Sequence, residues 1–434
     1  MWSRVMTVHL YEHQQKVMEQ IRPYNRCAVY VDMGGGKTFI GSEKMKELGN
    51  KVNLVICQKS KVQDWVDHFN EYYASSQVGV FNLTHATEMD HFFGQLLLGW
   101  HTVIGVINYD LAWRRTDLLS LKDFTLMLDE SSLIQNHGTK RTKYILRMRP
   151  ANVILLSGTP TSGKYERLWT QMHLLGWPIS RQLYEQTYVV WDYIETPYTS
   201  YRIPVVRGYK NVNRLKRKMA EYGCVFMKSE EFGIDLPDQQ DITIRVKASA
   251  DYKKFMKLRY LQMPDGSEMV GDTSLTSRLY ARILCGKYCK EKMAAVKDLI
   301  ESTEDRLIIF YNFTAEMEAL KDLCQSMQRP VSIVNGKTKD LRAYEEDPDS
   351  ITLIQYQAGA YGLNLQKCCR VIYFTLPESS ELFEQSRKRI HRIGQEKKCF
   401  YYILMCQGSI EEKIMKALKE RKDYTDALFK KDYE

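Results

Sequence analysis

Apolar residues in the first third of the chain fall into short runs separated by amphipathic stretches. Residues 27–31 form a strand-length run that leads into a glycine-rich turn, and 39–48 carries helical spacing. Residues 52–57 are strand-like again. A helix is predicted over 61–73, with Val62, Trp65, Val66 and Phe69 on one face. Three further runs, 102–107, 124–128 and 152–156, are rich in β-branched and long aliphatic residues. Strands alternating with helices predict a parallel sheet covered on both faces. From 165 to 297 the rhythm is lost, and aromatic residues, basic residues and helical patterns replace it. It returns at 307–310, 331–334, 352–355, 370–374 and 400–404. A stretch rich in Lys and Glu follows from Ile410, with Ile414, Leu418 and Ala427 at helical spacing. The expected fold class is α/β, with two parallel-sheet lobes and helical insertions. The first lobe is placed at 1–235 with a helical protrusion at about 165–228. The second is placed at 236–434 with a helical segment at about 248–300 and a C-terminal helix. Asp235-Leu236-Pro237-Asp238 reads as the linker.

Composition narrows the class without altering that picture. At ~150 residues per domain, 434 residues suffice for two to four domains. With 44% hydrophobic and 26% charged residues, a mainly disordered, collagen-like or small disulfide-stapled chain is excluded. The 62 basic residues exceed the 53 acidic ones by 9, which permits a nucleic-acid partner without requiring one. No apolar run approaches the ~20 residues of a membrane helix. The ten cysteines include no C-x-x-C pair, which points to reduced thiols and a cytoplasmic setting. A zinc site on Cys285 and Cys289 would need two more ligands that the sequence does not identify.

Three motifs carry the chemistry. Asp32-Met33-Gly34-Gly35-Gly36-Lys37-Thr38 follows a predicted strand and opens a predicted helix. Glycines let backbone N–H groups turn towards phosphate oxygens, and the helix N-terminus favours an anion. Lys37 would neutralise the β- and γ-phosphates of ATP, and the Thr38 hydroxyl would ligate Mg²⁺. Val31 stands where the longer phosphate-loop pattern has its first glycine. Asp129 and Glu130 end another apolar run. Asp129 can reach the magnesium, and Glu130 can orient or deprotonate the attacking water. The third motif is Ser157-Gly158-Thr159-Pro160, again after an apolar run.

In this order the motifs resemble those of the Swi/Snf-type DNA-dependent ATPases of helicase superfamily two, and the resemblance covers nearly the whole chain. It implies two RecA-like lobes, with ATP held between them. It places Gln14 as an adenine reader, Lys59, Ser60, Asn108, Tyr109, Thr159 and Asn364 as DNA contacts, and Gly362 and Gln395 beside the nucleotide. Ser132 stands where the family usually has a histidine that helps couple hydrolysis to the rest of the site. Ala360 replaces a common glycine in Ala358-Gly359-Ala360-Tyr361-Gly362-Leu363-Asn364-Leu365. The most specific match is Gln385-Ser386-Arg387-Lys388-Arg389-Ile390-His391-Arg392-Ile393-Gly394-Gln395. Within it Arg389 and Arg392 are three apart, the spacing of one helix face, and could act as arginine fingers worth ~10³–10⁵ in rate.

Between Arg202 and Lys218, basic residues including Arg202, Arg207 and Lys210 are interleaved with Tyr209, a pattern that suits a nucleic-acid groove or a solvated helix. The leading expectation is an ATP-driven translocase on double-stranded DNA, close to a bare monomeric motor, with a targeting partner open. It fits a bacterial, archaeal or viral setting. A strand-separating helicase on DNA or RNA is the alternative, and it needs a wedge that the sequence does not reveal. A motor subunit of a restriction or defence system would need a nuclease, and no nuclease-like carboxylate cluster stands out. A degenerate, purely binding module is disfavoured because Lys37, Glu130 and Arg392 are all present.

Overall fold

A computed structural model of the chain describes residues 7–98, 102–196, 199–233, 236–263, 266–359 and 363–429. It divides into two compact units, centred on Met1–Ile234 and Asp235–Lys422. The first carries strands β1 (Arg26–Val31), β2 (Val52–Cys57), β3 (Val78–Asn82), β4 (Thr102–Asn108), β5 (Phe124–Asp129) and β6 (Asn152–Leu156), then β7 (Val189–Thr196), β8 (Thr199–Tyr209) and β9 (Cys224–Met227). Seven of these form one sheet in the order β3-β4-β2-β5-β6-β1-β9. Every pairing in it is parallel.

Successive strand residues point to opposite faces. Ala28, Tyr30, Leu54, Ile56, Leu126 and Leu128 therefore enter one core. Cys27, Val29, Val31, Val55, Cys57 and Met127 enter the other. Burial on both faces explains why these strands read as unbroken apolar runs. Helices α1 (Glu12–Ile21), α2 (Lys37–Leu48) and α3 (Val62–Tyr72) pack their apolar stripes onto the second core.

The second unit repeats the plan with β10 (Gln239–Lys247), β11 (Tyr260–Gln262), β12 (Glu268–Val270), β13 (Leu307–Tyr311), β14 (Val331–Val334), β15 (Lys339–Asp340), β16 (Ile351–Gln355), β17 (Arg370–Tyr373) and β18 (Cys399–Gln407). Its sheet order is β10-β18-β17-β13-β16-β14-β15, parallel except for the β14–β15 edge. Two largely parallel sheets with flanking helices make this a two-lobe, RecA-like α/β fold.

The protrusion expected to be helical at 165–228 is corrected. It contains an antiparallel ribbon, β7–β8, as well as helices Arg181–Tyr188 and Val212–Glu221. β-Branched and aromatic residues at 189–194 and 203–206 favour strands over helix. Arg202 and Arg207 consequently lie on a strand, and Lys210 just beyond it. The 248–300 segment holds helices Ala250–Leu258, Ser274–Cys285 and Lys290–Glu301, interrupted by the β11–β12 hairpin.

All ten cysteines are unpaired and buried. Cys289 Sγ lies 3.5 Å from Cys406 Sγ, and Cys285, Cys406 and Glu411 converge beside them. The place a cation would take is filled by Lys292. Its Nζ donates to both Glu411 oxygens at 2.7 and 2.8 Å, with both side chains buried. Burial alone would lower the Lys292 pKa, but the charge and hydrogen bonds of Glu411 raise it overall. Lys292→Met is expected to destabilise the protein by about 3–5 kcal/mol, because it strands a buried carboxylate. Urea denaturation checks this, and adding Glu411→Gln to the same chain should recover most of the loss. Among the described residues, no helix is long and apolar enough to cross a membrane.

Candidate active site

All the motifs of the first unit sit at the carboxyl ends of its strands, where parallel α/β sheets bind ligands. β1 ends in the glycine turn. Gly34 and Gly36 have φ of +87° and +73°, and Gly36 is the N-cap of α2. A side chain at Gly36 would place its Cβ 1.9 Å from Gln14 Nε2, so Gln14 packs directly on the turn. Gln14 is itself fixed by accepting from the Tyr11 N–H at 2.8 Å. Gly35 is equally crowded, by Val31 and Phe232, and its carbonyl meets His13 Nε2 at 3.2 Å. Lys37 Nζ folds onto the turn and donates to the carbonyls of Val31 and Asp32 at 2.7 and 3.1 Å. Thr38 stands half-buried in the first turn of α2.

Gly36→Ala is expected to abolish binding of a fluorescent ATP analogue, because it adds a clash to a left-handed backbone that costs about 1–2 kcal/mol. Gly49 has φ +68° and open space around it, so Gly49→Ala should bear the strain alone and keep ATP binding.

β5 ends at Asp129. Its Oδ2 accepts from Trp65 Nε1 at 2.8 Å, and its carbonyl accepts from the Tyr109 hydroxyl at 3.0 Å. Glu130 is left-handed at φ 57°, a strained conformation of the kind that collects at active sites. Its Oε1 accepts from Ser157 Oγ at 2.6 Å and from Ser132 Oγ at 2.9 Å. The acidic box is thereby tied to the third motif at the end of β6, and Ser132 contacts the acid directly. Gly158 sits against Lys37 and Met33, with Lys37 Nζ 3.5 Å from an idealised Cβ.

Gln171 escaped the sequence reading. Fully buried, it accepts from Tyr30 at 2.9 Å and Ser131 at 2.8 Å, and donates to the Pro160 carbonyl at 2.7 Å. One amide thus joins β1, the acidic box and the third motif. The only sequence signal was a polar residue on the apolar face that carries Leu168, Met172 and Leu175.

The expected DNA contacts divide. Lys59 and Ser60 are exposed. Lys59, Asn82, Asn108, Asp110 and Arg114 line an open groove of about 550 Å³ at the ends of β2, β3 and β4. Tyr109 is corrected: it is buried and holds Asp129 instead of facing a groove. The Thr159 hydroxyl is likewise buried, without a hydrogen-bond partner among the described residues. Arg202 and Arg207 are exposed on β8, and Arg202 pairs with Glu195 at 3.0 Å.

In the second unit, Arg389 and Arg392 do not share a helix. The helix Ser380–Arg387 ends before them: the Tyr401 hydroxyl takes the Arg387 carbonyl at 2.9 Å, and the Arg389 N–H turns back to the Ser386 carbonyl at 3.3 Å. Leu365 N–H bonds the Arg389 carbonyl at 3.2 Å, and Gln395 Nε2 bonds that of Ile390 at 3.1 Å. Gln395 also donates to Gln366 and Cys368 carbonyls at 3.1 and 2.9 Å and accepts from Lys397 N–H at 2.9 Å. It is corrected to a positioning residue for this loop. Arg389 is buried and donates to the Leu363 carbonyl at 3.2 Å. Arg392 is half-buried and bonds Asn364 Oδ1, and desolvation lowers its pKa. Gly362 lies outside the described residues.

A family model described as SNF2-related domain matches residues 7–303. The chain belongs to the SNF2-related family. A second model, the helicase conserved C-terminal domain, matches residues 291–394 of this SNF2-related chain, which places it in helicase superfamily two. It is 25% identical to the uncharacterized ATP-dependent helicase YqhH of Bacillus subtilis, over 95% of this chain and 77% of that one. It is 21% identical to the ISWI chromatin-remodeling complex ATPase ISW1 of Saccharomyces cerevisiae, over 90% of this chain and 37% of that one. The chain spans under half the length of several curated relatives, including 39% of the mouse DNA annealing helicase and endonuclease ZRANB3. A solved structure, the Sulfolobus solfataricus SWI2/SNF2 ATPase core in complex with dsDNA, is similar with a TM-score of 0.46 and 20% identity, covering all of this chain and 96% of that one.

Proposed function

We propose that the chain is an ATP-driven motor that moves along double-stranded DNA. The observation that carries this reading is the Glu130 carboxylate, held by Ser132 and Ser157, with neighbouring Gly158 packed against Lys37 of the glycine turn. The backbone N–H groups of 34–37 and the amino end of α2 cradle the phosphates, and Lys37 leaves the Val31 and Asp32 carbonyls to meet them. Gln14, packed on Gly36, reads the base. Glu130 aligns the attacking water and accepts its proton at the carboxylate. The Thr38 hydroxyl and Asp129 carboxylate form an oxygen donor set suited to Mg²⁺, and they would hold it. Bound magnesium neutralises phosphate charge. Trp65 and Tyr109 keep Asp129 oriented for that task. Ser157 senses the state of Glu130 and passes it to the loop at 158–163. Lys59, Asn108 and Arg114 take the DNA backbone, so binding is independent of sequence and weakens steeply with salt.

The test is phosphate release from ATP with no nucleic acid, duplex DNA, single-stranded DNA or RNA, with Lys37→Ala as the blank. Duplex DNA is expected to stimulate most. Stimulation by single strands or RNA alone would replace translocation with strand separation, and hydrolysis at the level of the blank throughout would overturn the motor reading.

A further inference from the structure

The ribbon β7–β8 has no assigned partner. It is a two-stranded sheet on its own, joined to no third strand among the described residues. Isolated hairpins are marginal in water and usually bury one face. Here apolar side chains stay exposed on both. Cross-strand pairing puts Tyr193 opposite Pro204 and Ile194 opposite Ile203. Adjacent residues alternate between faces, so Tyr193 presents to one side, and Ile194 with Ile203 to the other. These three are exposed by 59%, 52% and 47%. Such a surface calls for a flat, apolar partner that fits on both sides of a thin ribbon.

Charge narrows the choice to a polyanion. Across residues 189–218 seven Lys and Arg residues stand against two acids, Asp192 and Glu195, a net excess of five positive charges. Nucleic acid supplies both properties, flat apolar bases and a phosphate backbone, and base stacking on protein side chains tolerates any sequence.

The root of the ribbon lies against the loop that follows the third motif. Tyr209, the last residue of β8, donates to the Gly163 carbonyl at 3.3 Å and to Glu166 Oε2 at 2.7 Å, and its ring stacks on Tyr165 at 4.4 Å. Ser162 and Gly163 are both left-handed, which folds the loop sharply just after Pro160. That loop begins at Ser157, the hydrogen-bond donor to Glu130. A change at the acid therefore reaches the ribbon through one short loop.

We propose that β7–β8 engages bases where a duplex ends or forks, with Tyr193 stacking on one side and Ile194 and Ile203 wedging the other, while Arg207 and Lys210 hold the phosphates. This rests on the reading of the chain as a DNA motor. The test uses a forked duplex with 2-aminopurine at the junction, first without ATP. The wild type should change its fluorescence, and the variant Tyr193→Ser/Ile194→Ser/Ile203→Ser should bind the fork about tenfold more weakly or worse, with little signal. Its affinity for blunt duplex and its basal ATP hydrolysis should stay within about twofold of wild type. Arg207→Ala should weaken binding to both substrates alike, through phosphate. An unchanged 2-aminopurine signal in the triple variant, or none in the wild type, overturns the proposal and points to a protein as the occupant. Hydrolysis at the level of the Lys37→Ala blank with every nucleic acid would instead overturn the motor reading, because the ATP-free fork signal reads the ribbon alone.

Discussion

Glu130→Gln is expected to lower ATP turnover by about 10²–10⁴-fold while leaving nucleotide affinity near wild type. The substitution keeps the shape of the side chain. A glutamine carbonyl oxygen still accepts from Ser132 and Ser157, which bond Oε1 at 2.9 and 2.6 Å. What disappears is the capacity to accept a proton. The phosphate turn keeps the packing of Gln14 on Gly36 and the bonds of Lys37 to the Val31 and Asp32 carbonyls. The effect should therefore fall on kcat with little change in KM, which marks an interaction made in the transition state. Ser157→Ala and Ser132→Ala each remove one donor and should reduce kcat less, and their combination should exceed either alone. Single-turnover phosphate release with a parallel nucleotide-binding titration separates these quantities. Turnover within tenfold of wild type in Glu130→Gln would remove Glu130 from the chemistry.

Arg392→Ala is expected to reduce kcat by up to about 10³–10⁵-fold with the fold intact, whereas Arg389→Ala should act mainly on stability. The two arginines match one motif but occupy different surroundings. Arg392 is half-buried and bonds the side chain of exposed Asn364, an interaction that a phosphate can replace. Arg389 is buried, and its guanidinium braces the Leu363 carbonyl while its own carbonyl receives the Leu365 N–H. Removing it loosens the 363–368 loop and leaves a cavity, with an expected loss of about 2–5 kcal/mol. Thermal unfolding and ATP turnover on both variants give the contrast. Equal kinetic losses at unchanged stability would assign both as arginine fingers.

How far the sequence revealed this architecture depends on burial. β1, β2, β4, β5 and β6 are covered on both faces, and their apolar runs mark them clearly. β3 is only half-buried and interrupted by Gly79, so it left no such run. β9 has four residues, and β10 is an edge strand that follows directly on the stretch read as a linker. The β7–β8 ribbon was hidden by its basic residues, which suggested a helix face.

The site shows the same division. Lys37, Thr38, Asp129 and Glu130 stand out as candidates because short local spacing defines their motifs. The residues that hold them do not. Trp65 reaches Asp129 across 64 positions, Gln171 reaches Ser131 across 40, and neither distance leaves a trace in spacing. Tyr109 was assigned to DNA by its motif, yet its burial turns the hydroxyl inward to Asp129. Arg389 and Arg392 had helical spacing, but the helix stops at Arg387, whose carbonyl accepts from the Tyr401 hydroxyl instead of from a further helical turn.

The most direct test of movement along duplex DNA is displacement of a labelled third strand from a DNA triplex placed far from the loading end. Wild type with ATP should release it, and Glu130→Gln should leave it bound under the same conditions. A third strand that stays in place with wild type, while single-stranded DNA or RNA stimulates hydrolysis fully, would contradict duplex translocation.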